Sequence, residues 1–96
     1  MATEYRISPA AENDLAEIWR YTARRWSLEQ AESYHEQIVA AFEGLAAGTK
    51  KGRTVDVRPG YLKYLVGSHL IFFRERSGRL EIVRILHSRM DVGRHL

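Results

Sequence analysis

The side chains able to do chemistry in this 96-residue sequence are four histidines (His35, His69, His87 and His95), twelve arginines and a scatter of carboxylates, with no cysteine. Absence of cysteine excludes thiol nucleophiles, thiolate metal sites and disulfides together. His87, Asp91 and His95 fall at i, i+4 and i+8 and would align on a helical tail. A metal ion needs at least three converging ligands and a held outer shell. Gly93 and the neighbouring arginines work against a cation there, so no metal site is expected. Ser68 and His69 are adjacent, which points their side chains apart, and no serine sits in a nucleophile elbow. Gly52 and Gly60 lack the spacing and the following helix of a phosphate loop. The acids fall mostly in helical segments, where they solvate a surface.

One chemistry survives this test. Metal-free cleavage of RNA needs a base for the 2′-hydroxyl, an acid for the leaving oxygen and cations around the phosphate. His87 closes a strand-like run, with Arg84, Arg89 and either Arg74 or Lys63 to supply cations. No clear base accompanies them. The competing reading pairs these arginines with Glu75, Glu81 and Asp91 as surface salt bridges.

The elements that must position these groups follow from periodicity. Residues 4–7 alternate in polarity and read as a short strand. Ser8-Pro9 opens a helix over 9–25, with Glu12, Asp14 and Glu17 near its positive end and Arg24 and Arg25 near its negative end. Its apolar stripe is Ala11, Leu15, Ile18, Trp19 and Thr22. Ser27 with Gln30 forms a capping box for a second helix ending near Ala47. The joint at Trp26 is so short that the helices must form an antiparallel hairpin, with Trp19 in the core and Trp26 fixing the crossing. Residues 48–60 carry three glycines, a proline and a basic run, and read as a loop with one irregular strand at 54–58.

Three strands follow at 61–66, 69–76 and 79–87, separated by Gly67-Ser68 and Ser77-Gly78 turns. The last of them alternates imperfectly, as a central strand covered on both sides would. The tail can add a final helical turn. The order β-α-α-β-β-β makes an α+β fold: a helical hairpin on one face of a small antiparallel sheet. Tyr61, Tyr64, Phe72 and Phe73 lie on strands, so half should face the helices and the rest an open face. Tyr61, Tyr64, Phe73 and Arg74 are the residues expected to dock a partner.

A chain of this size makes a single domain over residues 1–96 and holds a core without disulfides, but it is too small for a two-domain cofactor enzyme. No segment reaches the ~18 apolar residues of a membrane span, and the first residues lack a signal-peptide core. A soluble cytoplasmic protein is expected. Residues 1–47 carry four basic against eight acidic groups, whereas 48–96 carry eleven basic against four acidic, net +7. That half suits an acidic or nucleic-acid-associated partner, although arginine solvating an exposed sheet explains the pattern as well.

Several strings stand in a fixed order along the chain: Tyr5-Arg6-Ile7-Ser8-Pro9-Ala10-Ala11, Asp14-Leu15, Ile18-Trp19, Arg58-Pro59-Gly60-Tyr61 and Gly67-Ser68-His69. They continue through Ile71-Phe72-Phe73-Arg74, Ile82-Val83-Arg84-Ile85-Leu86-His87 and Arg89-Met90-Asp91 to Arg94-His95-Leu96. In this ordered set the chain resembles the ParE toxins of type II toxin–antitoxin modules, within the RelE/ParE superfamily. The resemblance implies a toxin that inhibits DNA gyrase by binding, needs no cofactor and is neutralised by a ParD-like antitoxin. No membrane association and no direct nucleic-acid specificity are expected. On that reading His87, Arg89, Met90, Asp91, Arg94, His95 and Leu96 form the target-directed determinant, and Tyr61, Tyr64, Phe73 and Arg74 bind the antitoxin. RelE-like relatives instead cut mRNA on the ribosome, which would place Arg84 and His87 in a catalytic site. No tyrosine follows the last strand here, so the full ribonuclease set is not evident.

Overall fold

The computed structural model describes residues 4–90 and 92–96. β1 (Tyr5–Ile7) leads into α1 (Pro9–Arg25) and α2 (Leu28–Ala47), followed by β2 (Arg53–Thr54), β3 (Leu62–Val66), β4 (His69–Arg76), β5 (Arg79–His87) and the short α3 (Val92–His95). Ser8 does two jobs at the first junction. Its hydroxyl accepts from the amide of Ala11 (3.0 Å), capping α1, and donates to the carbonyl of Val83 (2.7 Å). Its own amide donates to Ile82 O (2.9 Å), so the cap also continues the edge of the sheet. Ser27 caps α2 through the amide of Gln30 (3.0 Å). Gly48 ends α2 at φ +83°, a left-handed backbone that only glycine adopts without strain.

The strand order is β1-β5-β4-β3-β2. β5 is central, as its patterning required, and its irregular alternation has a cause in the ladder. The register slips between Phe72 and Phe73 of β4, leaving Val83 as an extra residue on β5. The sheet is antiparallel apart from β1, which pairs with β5 in parallel: Tyr5 opposite Leu80, Arg6 opposite Glu81 and Ile7 opposite Ile82. A parallel neighbour requires a crossover rather than a tight turn, and the helical hairpin begins that crossover. The irregular strand expected at 54–58 is confined to Arg53 and Thr54. Beyond it the chain turns back, with Tyr61 N donating to Arg58 O and Val55 N to Tyr61 O.

Two apolar clusters hold the sheet. On the helix side Phe42, Ile38 and Leu15 pack on Ile71, Phe73, Ile82 and Ile85. On the opposite side Val55, Tyr61, Phe72 and Leu86 form a second cluster under Val92 and Leu96. The face expected to be open is therefore covered in its middle by the 55–61 loop and the tail. Trp19 is only half-buried and stands outside both clusters. Trp26 is 67% exposed and does not fix the helix crossing. The joint projects its ring outward, with the Arg25 guanidinium 5.3 Å from the ring centre.

Candidate interaction surfaces

β1 accompanies β5 only from Leu80 to Ile82, so the rest of that edge needs another source of hydrogen bonds. Asp14 of α1 supplies it. Its Oδ2 accepts from the amide of Ile85 (2.9 Å) and from Arg84 Nε (2.7 Å), and its Oδ1 accepts from Arg84 Nη2 (2.9 Å). The Asp14 side chain is 11% exposed and that of Arg84 is 25% exposed. The hydrogen bond to Asp14 raises the Arg84 pKa above the ordinary arginine value, against the desolvation that opposes it. Arg84 Nη1 also donates to His95 O (3.2 Å), tying the tail to this node. The guanidinium fork is thus already filled by a carboxylate. Sequence reasoning missed Asp14, 70 positions away, as the partner. The available signal was a carboxylate beside Leu15 at the margin of an apolar stripe. Arg74 does pair with Glu81 (2.7 Å).

His69 and His87 stand opposite each other on β4 and β5, rings edge to face with centres 5.3 Å apart. Tyr34 of α2 reaches them: its hydroxyl lies 2.7 Å from His69 Nδ1, 2.9 Å from Val66 O and 3.2 Å from Ser68 N. All three bonds are met when the hydroxyl donates to Val66 O and accepts from Ser68 N–H and from a protonated His69 Nδ1. That assignment leaves His69 Nε2 as the free ring nitrogen. Gly67, at φ +56°, is what lets the tyrosine approach, since a Cβ there would sit 2.8 Å from its ring. His87 Nδ1 accepts from the amide of Arg89 (3.1 Å). The cluster closes one end of an open groove of about 800 Å³ whose other walls include Tyr21, Trp26 and Arg24. Tyr21 and Trp26 are both well exposed.

Burial pushes the His69 pKa below the ordinary 6.5, the neighbouring His87 adds to the shift, and Asp14 opposes it. Burial likewise raises Tyr34. The unfolded chain therefore takes up a proton at His69 before the folded chain does. Stability contributed by neutral His69 is complete above about pH 6.5 and is lost as pH falls below that value toward the depressed folded pKa. The urea midpoint is expected to fall between pH 7.5 and 5.5 in the wild type and to fall less in His69→Gln. Parallel pH profiles for the two proteins would contradict this origin.

The C-terminal residues expected to contact a target do not form one surface. His87 faces the helix-side groove, whereas Arg89, Met90, Arg94 and His95 are exposed and Leu96 turns back onto the second cluster. Arg58 Nη1 donates to Leu96 O and helps hold it there. Asp91 lies outside the described residues. The partner-docking set is divided as well, because adjacent strand positions project to opposite faces. Phe73, 3% exposed, and half-buried Tyr64 join the helix-side cluster, while Tyr61 and Arg74 lie on the other face. Among the described residues no three or more His, Asp or Glu side chains gather to hold a metal. No helix among them is long and apolar enough to cross a membrane.

The whole is a helical hairpin on a five-stranded sheet with a tail folded over its far face. It superposes on a chain of the chromosomal ParDE toxin–antitoxin system of P. aeruginosa with a TM-score of 0.79 at 21% identity, covering 88% of this chain and 95% of that one. A chain of the RelBE2 toxin–antitoxin complex of Mycobacterium tuberculosis aligns at 0.57 and 17% identity, covering 91% and 99%. In sequence, residues 5–92 match the family described as the ParE toxin of the type II toxin–antitoxin system parDE. Toxin ParE1 of Mycobacterium tuberculosis is 45% identical with both chains covered in full. Toxin ParE1 of Caulobacter vibrioides is 39% identical over 96% of each chain. The chain belongs to the ParE toxin family and is the toxin component of a type II toxin–antitoxin system.

Proposed function

We propose that this ParE toxin arrests growth by binding DNA gyrase, breaks no covalent bond itself, and is neutralised by a ParD-like antitoxin. The observation that carries the reading is the Asp14–Arg84 fork. The guanidinium that a ribonuclease would direct at a phosphate is filled by an internal carboxylate and anchors the tail instead. What remains exposed is adhesive rather than catalytic: the tail residues Arg89, Met90, Arg94 and His95, and the aromatic groove at the hairpin joint. That groove suits a flexible antitoxin segment that folds as it docks.

A second reading, ribosome-dependent mRNA cleavage, draws support from one observation, the His69–His87 pair, which supplies the base that the sequence lacked. A supercoiling assay and a translation assay separate the two. Purified protein is expected to inhibit gyrase and to leave ribosome-bound mRNA intact. Arg89→Ala/Met90→Ala should weaken that inhibition at least tenfold with the thermal midpoint unchanged. Intact supercoiling together with cut mRNA, abolished by His69→Ala, would replace the first reading with the second.

A further inference from the structure

The sheet register collects a set of cations that the sequence scatters. Arg6 of β1 lies opposite Glu81 of β5, Glu81 opposite Arg74 of β4, and Arg76 opposite Arg79. Directly paired residues project to the same face, so all of them point away from the helices. Arg6, Arg76 and Arg79 line an open cleft of about 370 Å³ beside the Ser77-Gly78 turn. Arg53 of β2 and Lys63 of β3, paired with each other, continue the same face toward the far edge. The row is broken in its middle by the 55–61 loop and buried Tyr61, and spans five strands, roughly 19 Å at about 4.8 Å per strand. The acid that the register places in it, Glu81, is held by Arg74 at 2.7 Å, and Glu4 approaches Arg79 only at 3.8 Å between exposed side chains. Arg6, Arg53, Lys63 and Arg76 have no ion-pair partner among the described residues.

We propose that this arginine face binds the phosphate backbone of duplex DNA without regard to sequence. Three features of the patch select that occupant. An acidic peptide that folds on binding needs apolar anchors. None of the exposed large apolar side chains lines the cleft, and Leu80, the apolar residue that does, is buried. A single strand needs free aromatic rings on which to stack bases. Tyr61, the aromatic residue nearest the row, is buried, with the guanidinium groups of Arg58 and Arg74 5.2 and 5.1 Å from its ring centre. Base-edge reading in a duplex draws on asparagine and glutamine as well as arginine. Asn13, Gln30 and Gln37 all sit on the two long helices, away from this face. What is left is a cationic surface, gathered beside the Ser77-Gly78 turn, with the chemistry of phosphate contact.

The inference does not rest on the gyrase reading, and its test contains no gyrase. Binding of the full chain to a fluorescein-labelled 24-base-pair duplex is followed by anisotropy between 50 and 200 mM salt. Five neutralised phosphates give a slope of log K against log salt of about −4.5, a loss of several hundredfold over that range. The triple variant Arg6→Gln/Arg76→Gln/Arg79→Gln should bind at least tenfold more weakly at 50 mM salt, with the slope reduced by about 2.7. The matching Arg→Lys triple should keep the wild-type slope, and both variants should melt within a few degrees of wild type. No binding at 50 mM salt, or unchanged binding by the glutamine triple, overturns the proposal. So does tighter binding of a single strand, or of a poly-glutamate peptide, with the same number of charges.

Discussion

Replacing Asp14 by alanine is expected to cost about 3 kcal/mol of folding stability, a large share of the roughly 5–15 kcal/mol available to a domain. The substitution strips one carboxylate from three donors at once: Arg84 Nε, Arg84 Nη2 and the Ile85 amide. Removing one partner of a buried pair costs about 3–5 kcal/mol, because the other charge is left without compensation. Here the Arg84 side chain is 25% exposed, so water recovers part of that loss and the lower end applies. At about 4–8 °C per kcal/mol for a domain near this size, the melting temperature should fall by roughly 12–24 °C. Arg84→Ala should cost less, since Asp14 then still accepts from Ile85. The double variant should show a coupling of about 1–3 kcal/mol in a double-mutant cycle. If Arg84 were instead a phosphate ligand only restrained by Asp14, Asp14→Ala would leave the melting temperature nearly unchanged and switch on mRNA cleavage. Thermal melts of the four proteins, with a translation assay on each, decide between these outcomes.

Phe72→Ala is expected to be at least as damaging, at about 3–5 kcal/mol. Phe72 is fully buried, at 0% exposure, and lies under the tail rather than under the long helices. Its loss opens a cavity among Tyr61, Leu86, Val92 and Leu96, so it should both destabilise the domain and release the C-terminal residues. Urea unfolding measures the first effect and limited proteolysis of the tail the second. Phe72→Leu keeps most of the volume and should cost about 1.5 kcal/mol or less, with the tail still protected. Rapid tail cleavage in Phe72→Leu, or a small stability loss in Phe72→Ala, would show that the far-side cluster does not hold the tail.

The long helices were legible because each announces itself locally. Ser8 and Ser27 cap where they were expected to, and Leu15, Ile38 and Leu45 recur at the helical period. The β3–β4 and β4–β5 hairpins were legible for the same reason, since Gly67 and Gly78 take the positive φ that their turns require. The site was harder to read. Its key contacts join residues such as Asp14 with Arg84 and Tyr34 with His69, each pair on different elements. A carboxylate at the edge of an apolar stripe reads the same whether it meets solvent or a strand edge. Trp19 and Trp26 were misplaced because hydrophobicity alone does not say how far the margin of an apolar stripe, or the joint between two helices, turns away from the core.

By itself the sequence determined the element types, their order, the central position of β5 and, through its ordered strings, membership of the ParE family. Those properties are short-range or cumulative: capping, periodicity and turn chemistry act within a few residues, and many weak matches add along the chain. Tertiary structure alone decided that β1 joins in parallel, bringing Arg6 of the acidic half among Arg74, Arg76 and Arg79 of the basic half. It also decided that the tail covers the far sheet face and that Arg84 is occupied by Asp14. Each of these depends on which side of a strand a residue takes. A single bulge between Phe72 and Phe73 shifts that alternation, so it is settled only when the whole sheet is assembled.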